Sequence, residues 1–363
     1  MAKSSPFESV HKALSANFAE YGQWSLPCDY GDTAGESRGL HENCAAFDLS
    51  SFGRISVKGP NASQLIDRLA TASTEDLRDG RWIWSLICSQ AGWLIDIVRI
   101  ARIGGDFIIF CSPSKREQVL DVASSLAADE QVTDITETTA MLSLYGAGSL
   151  GAISNILPFD ISDIESGDVR TMSIIIISVT VLRGSWIGLD GFEVLCPVSA
   201  AAMAAGAVAK YHKRENISPA GMDCLSRAML EASVPVSIMD LPEAENIAIG
   251  AYGLGGLISS DKDFIGKNAI AQTKASGAEK ILVGLSSEGD VSIAGGASVE
   301  HNGLKIGFCG EMVHSHRLGR SIAMAMIDNE FFDLAESIQI VADGTKTDAK
   351  IRKLPFDADI AAF

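Results

Sequence analysis

The chain has 363 residues, 47% hydrophobic and 21% charged, with 34 Gly and 10 Pro, an ordinary globular composition of two or three domains' length that excludes collagen-like, low-complexity and disordered sequence. Its formal charge of −17 repels phosphate backbones and anionic lipid. The densest basic stretch, Lys210, His212, Lys213 and Arg214, reads as a solvated helix end, so neither nucleic acid nor membrane is an expected partner.

Met1 to Ser15 mixes Lys3, Glu8, His11 and Lys12 into its apolar residues and shows no leader-like apolar run. Seven scattered cysteines without C-x-x-C spacing suit neither a disulfide framework nor a zinc ribbon. They read as core thiols of a reduced, cytoplasmic protein.

Ile55 and Val57 alternate with polar neighbours before Gly59-Pro60. Asn61 then stands where it can cap a helix whose Leu65, Ile66 and Leu69 share a face, with Gln64 at the capping-box position. Residues 83–87, 94–100 and 107–111 read as strands punctuated by Ala91-Gly92 and Gly104-Gly105. A short helix over 118–126 turns Val119, Val122, Ala123 and Leu126 inward.

Leu142-Ser143-Leu144-Tyr145-Gly146-Ala147-Gly148 echoes Ile55 to Asn61, and Ile153 and Ile156 fall over Ile66 and Leu69, so the strand–glycine turn–helix unit is expected twice. Gly146, Gly148 and Gly151 also spell a dinucleotide fingerprint. No acid ends the following strand at Leu182-Arg183, and the first copy makes its turn with Pro60 and Asn61. A structural turn is therefore expected, with an NAD(P)-dependent oxidoreductase as an alternative.

The apolar run 172–182, with Ile174, Ile175, Ile176, Ile177 and Val179, is shorter than the roughly 20 residues that span a bilayer and predicts a buried strand. Gly184 to Val194 is the most distinctive stretch: a glycine turn brings an aromatic, Trp186, and a carboxylate, Glu193, into adjoining structure. Such a pair can stack a planar heterocycle and accept from its N–H groups. Helices follow over 199–211 and 219–232, the second with a core stripe of Met222, Leu225, Met229 and Leu230. Strands at 281–285, 305–308, 322–327, 337–341 and 347–352 predict a small all-β barrel or sandwich beyond a boundary in the polar stretch 274–279. His314-Ser315-His316 lacks a third ligand nearby and reads as a surface turn, so no metal is expected.

These segments in this order resemble the folate-dependent aminomethyltransferase family, the glycine cleavage T-protein and its relatives. Cys44 to Arg54 is similar to the family's G-x-F-D-V-S-H-M-G, Gly188 to Glu193 to its G-E-D-G-F-E, Asp261 to Lys267 to its D-K-x-F-I-G-K, and Lys353-Leu354-Pro355-Phe356 to its K-x-P-F. The resemblance implies an α+β, three-domain cloverleaf around a hole that takes tetrahydrofolate, closed by a C-terminal β-barrel. It implies domains at 1–53 with 140–245 (folate-binding), 54–139, and 280–363, with 246–279 connecting. It further implies that Glu193 grips the pteridine, that Trp186, Trp84 and Phe52 line the pocket, and that Ser112 stands for the family's asparagine.

The family's G-G-x-x-D-D reads Gly92-Trp93-Leu94-Ile95-Asp96-Ile97, so Asp96 matches the first aspartate and Ile97 the second, to which catalysis is usually assigned. Asp96 is the catalytic candidate, although strand neighbours face opposite ways. Leu225, Met229 and Leu189 replace further family charges, while Glu231 remains; the K-G-C-x-x-G-Q-E of the related iron–sulfur accessory group is missing. The expected activity is one-carbon transfer, aminomethyl or methyl, from a small amine-type donor to tetrahydrofolate, with a lipoyl carrier protein as a possible partner. The alternative within the resemblance is a non-catalytic folate-binding accessory or sensor protein.

Overall fold

Period-2 alternation in the strand Arg81–Cys88 sends Trp82, Trp84 and Leu86 to one side and Ile83 and Ile87 to the other. That strand edges a five-stranded antiparallel sheet whose order continues through Leu94–Ile103, Asp106–Cys111, Gly53–Lys58 and Gln131–Asp134. Its Ile87 side joins Ile55, Val57, Val98, Ile100 and Ile109 beneath the helices Ala62–Leu69 and Arg116–Leu126. Each such fully buried side chain contributes about 1.5–3 kcal/mol. The Trp side faces a second sheet.

The second sheet has six strands in the order Val169–Ile174, Ile177–Arg183, Gly191–Pro197, Thr139–Tyr145, Cys44–Asp48 and Ile217–Pro219, with only the last pair parallel. Phe192, Val181 and Leu144 point away from the first sheet, under the helices Ser149–Ile156 and Ala201–Tyr211. Phe47, Met141, Tyr145 and Leu182 point toward it and pack with Trp82, Ala101 and Phe110. Between the sheets lies the core that holds the site. The computed structural model describes residues 2–75, 77–174, 176–333, 337–357, 359 and 362.

Residues 280–352 form the expected barrel. Lys280–Ser287, Thr345–Arg352, Ile338–Ala342, Ala297–His301, Leu304–Cys309 and Arg320–Asp328 pair in that order, and the last pairs again with the first, closing six strands. Val283, Leu285, Ile306, Ala323, Ala325 and Ile340 fill the interior. Strands Ala297–His301 and Val313–Ser315 were not expected; the first is broken by a register shift at Val299/Glu300 and the second is three residues long.

Both copies of the strand–turn–helix unit are present, with Gly59 at φ 127 and Gly146 at φ 117, a region open to glycine and closed to most side chains. A Cβ on Gly146 would stand 2.4 Å from the carbonyl oxygen of Asn43, and Gly148 N–H donates to that same carbonyl at 2.7 Å. The fingerprint glycines thus admit the neighbouring chain at Asn43, which fills the turn where a pyrophosphate would lie.

Several local expectations are corrected. Asn61 precedes the helix Ala62–Leu69 but its side chain makes no cap hydrogen bond. The run 172–182 is a hairpin rather than one buried strand: Val169–Ile174 pairs with Ile177–Arg183, and Ile176 at its tip is 93% exposed, while Ile175 lies outside the described residues. The polar stretch 274–279 begins inside the helix Lys267–Ser276 and breaks at Gly277, φ 82. His314 sits in the edge strand Val313–Ser315 and only His316 in the turn after it, their rings 5.4 Å apart. Six of the seven cysteines are buried, all free. No helix of the described residues is long and apolar enough to cross a membrane.

Candidate functional site

The strand Gly191–Pro197 pairs Glu193 with Ser143 on one side and Leu182 on the other, which puts its carboxylate on the face toward the five-stranded sheet. From that sheet, Arg99 points back, opposite Trp84 and Phe110 in register. The two side chains meet between the sheets, each fully buried, with Arg99 Nη2 donating to Glu193 Oε2 at 2.5 Å. Tyr145 Oη donates to Glu193 Oε1, and burial lifts the Tyr145 hydroxyl well above its ordinary pKa, so it stays a donor. Glu193 therefore has both oxygens engaged.

Gly184, at φ 144, turns the chain so closely over Trp82 that a Cβ there would meet the indole at 2.3 Å. This turn delivers Trp186 to the same interior, where it is 1% exposed. Trp186 packs on Phe52, with ring centroids 5.1 Å apart, and edge-on against Trp84 at 5.3 Å. The Arg99 guanidinium lies 4.4 Å from the Trp186 ring centroid, 5.2 Å from Trp82, 5.6 Å from Trp84 and 5.7 Å from Phe110. A cation enclosed by four π faces gains roughly 0.5–2 kcal/mol from each good contact. Three of the sequence-selected residues, Glu193, Trp186 and Trp84, thus meet in one aromatic box around Arg99, a residue the sequence reading passed over, and the fourth, Phe52, packs on Trp186.

Asp96 and Arg99 interrupt the apolar run Leu94 to Ala101, and the pleat position of Arg99 shares a face with Ile97 and Ala101. A lone charge at an inward position of a central strand is the signal that could have marked it, since such a charge needs a buried partner. Tyr145 gave no comparable signal, because a buried tyrosine in a strand is unremarkable.

Ser112 and Asp96 form a second cluster. Asp96 Oδ2 accepts from Ser112 N–H and Oδ1 from Ser112 Oγ, each at 2.7 Å, and Oδ1 also accepts from Ile97 N–H at 2.9 Å. Ser112 and Phe52 both line a cavity of about 410 Å³, whose wall also includes Trp24, Met222, Met229 and Asp240. A second, more polar cavity of about 510 Å³ shares Tyr21 and Ser226 with it and carries Arg227, Glu311, His314 and His316. Ile97 faces elsewhere, 1% exposed among Leu86, Cys88, Leu230 and Met239. Leu225 and Met229 pack in the core beside the box, with Leu189 against it, while Glu231 is buried, accepting from Ser315 Oγ at 2.6 Å and paired with His41 Nε2 at 3.2 Å.

Burial raises the Asp96 carboxyl from its ordinary 3.8 to about 7, against the lowering effect of its Ser112 bonds. A carboxyl raised on folding binds its proton more tightly in the native state, so its contribution to stability is full below pH 3.8 and is lost as pH rises to about 7. Unfolding measured by urea titration is expected to show this decline in wild type. It should be shallower in Asp96→Asn, where no proton is bound; an identical profile would mean that Asp96 does not titrate in this window.

Comparisons with known proteins match the chain and its fold along nearly the whole length. The family model described as the GCVT N-terminal domain matches residues 7–262, and that described as the glycine cleavage T-protein C-terminal barrel domain matches residues 280–357. The aminomethyltransferase of Cutibacterium acnes is 26% identical over 373 residues, covering 98% of each chain. That of a Geobacillus species is 26% identical over 361 residues, covering 98% of this chain and 99% of the relative. The crystal structure of the glycine cleavage system aminomethyltransferase T of Bartonella henselae superposes with a TM-score of 0.89 over the whole of both chains, at 18% identity, and shares the fold.

Proposed function

The chain belongs to the glycine cleavage T-protein family, whose members are folate-dependent aminomethyltransferases, and we propose that it transfers a one-carbon unit from a small amine-type donor through the box and cavity just described. The observation that carries this reading is the convergence of Glu193, Trp186, Trp84 and Phe52 from separate strands and turns onto one buried volume beside the cavity that Ser112 lines.

The residues suit tetrahydrofolate chemically. A buried carboxylate accepts from the paired N–H groups of a pterin, and aromatic walls cover its flat ring. Those groups are at present engaged by Arg99. When bound, tetrahydrofolate supplies the amine nitrogen that receives the carbon. Glu193 fixes orientation, Trp186 and Trp84 exclude water, and Phe52 stands between box and cavity. Asp96 is fully buried and meets the cavity wall through Ser112, whose hydroxyl it holds, and its carboxyl, raised to about 7, can hold or release a proton near neutral pH, a condition for general acid–base work. Ile97 cannot take that role, because it supplies neither proton nor charge and is packed in the core.

The donor arrives on a lipoyl carrier in this reading, and a cytoplasmic setting accords with seven unpaired thiols. The assay is ammonia release from an aminomethylated lipoyl carrier, with and without tetrahydrofolate. Folate-dependent release is expected. Release that ignores folate, together with no folate binding by calorimetry, would dismiss the reading; binding without release would favour the accessory role.

A further inference from the structure

The geometry points to Arg99 as an internal competitor for the folate pocket, a side chain that occupies the Glu193 carboxylate in place of a planar cyclic guanidine and must be displaced before such a ligand binds. This inference rests on the functional reading above. The pyrimidine ring of a pterin contains a guanidine unit, with an amino group and a ring N–H offered in parallel along one edge. An arginine head offers the same edge to a carboxylate and the same flat face to an indole. Arg99 uses part of each: Nη2 alone donates to Glu193 Oε2, and the guanidinium carbon lies over Trp186 at 4.4 Å from its centroid, inside the box that Trp82, Trp84 and Phe110 complete.

The fit of Arg99 is incomplete. Its Nε and Nη1 are buried without a hydrogen-bond partner among the described residues, and so is Nε1 of Trp186. A residue placed only to neutralise Glu193 would be expected to satisfy its own donors, because an unmet buried N–H is costly. Here one N–H of Arg99 and the Tyr145 hydroxyl share the carboxylate, the guanidinium covers the indole ring, and Nε and Nη1 of Arg99 with Nε1 of Trp186 are orphaned among the described residues. That is the pattern of a side chain standing in a space shaped for a larger planar polar group. Arg99 also rises from a strand of the five-stranded sheet, whereas Glu193, Trp186 and Tyr145 come from the other sheet or its connecting turn. Displacement therefore means withdrawing one side chain from between two sheets, and the carboxylate and its Tyr145 hydrogen bond stay in place.

The test measures tetrahydrofolate binding by calorimetry for wild type, Arg99→Ala and Arg99→Ala/Glu193→Gln. Removing the competing charged hydrogen bond is expected to tighten binding about tenfold to a hundredfold, and the second substitution should abolish the gain. Methylguanidine, which refills the vacated space, should raise the melting temperature of Arg99→Ala and compete with folate there but not in wild type. If Arg99→Ala does not fold, Arg99→Lys reads the same competition with a cation retained for Glu193, and it should bind tetrahydrofolate more tightly than wild type by a smaller factor. Equal affinity in wild type and the folded Arg99 variants would overturn the inference and leave the functional reading standing. A gain that survives Glu193→Gln would also overturn it, since folate would then lie elsewhere. If no variant binds tetrahydrofolate while methylguanidine still stabilises Arg99→Ala, both the inference and the folate reading fall.

Discussion

Arg99→Leu is expected to lower stability by about 3–5 kcal/mol near neutral pH, the usual cost of leaving one member of a buried ion pair alone. Glu193 is completely buried, and among the described residues the Tyr145 hydroxyl alone would remain to support its charge. Adding Glu193→Gln to the same chain should recover most of the loss, because replacing both charges removes the desolvation cost together with the attraction. Urea unfolding of wild type, both single variants and the double variant forms a closed cycle whose coupling measures the pair. A coupling near zero would show that the guanidinium is held by its aromatic neighbours and not by the carboxylate. The aromatic share can be read separately: Trp186→Leu removes the nearest π face and leaves the ion pair intact.

Turnover is expected to fall by about 10²–10⁴-fold in Asp96→Asn, the usual contribution of a positioned acid or base. The substitution keeps the size of the side chain, and its amide oxygen can still accept from the Ser112 N–H that Asp96 now holds at 2.7 Å. What it loses is the proton. Burial has raised that carboxyl to about 7, so the wild-type rate should change steeply with pH around neutrality, and the residual rate of Asp96→Asn should not. Ser112→Ala, which deletes the hydroxyl that reaches Asp96 from the cavity wall, is expected to shift the wild-type inflection upward, since a bond to the charged form is lost. Full activity in Asp96→Asn would place the proton transfer on another group, and the carboxyl would then be a buried tie between two strands.

Much of the scaffold could be read from local chemistry. Glycine punctuation separated the strands of the five-stranded sheet, and the repeated strand–turn–helix unit is built around two glycines at positive φ. The barrel strands followed from short β-branched runs, except where the register shift at Val299/Glu300 and the brevity of Val313–Ser315 left too little period to detect. The hairpin within 172–182 was hidden because its isoleucines continue through the turn, where Ile176 is exposed against its hydrophobicity. Trp186 and Glu193 stood out in the glycine-bounded stretch Gly184 to Val194 itself, and Trp84 and Phe52 through motif resemblance. Arg99 and Tyr145 were not, because their roles depend on which faces of two sheets meet. No spacing along one strand records that. Asp96 was singled out for its position in a motif, but its pairing with Ser112 depends on how two neighbouring strands end side by side.

The five-stranded sheet is an insertion, and this has a consequence during synthesis. Strand Cys44–Asp48 leaves the ribosome early, but its partner Thr139–Tyr145 follows only after the whole intervening sheet. A free edge strand waiting that long is exposed to wrong pairing. The insert shortens the search, because its own first and last strands, Gly53–Lys58 and Gln131–Asp134, lie side by side with Ile55 opposite Asp134. Once those two ends have paired, Asp48 and Leu142, which sit opposite each other in the finished six-stranded sheet, are tethered within a few residues of contact. The entropy of closing a long loop has then been met by the insert, and the second sheet joins across what is effectively a short hairpin.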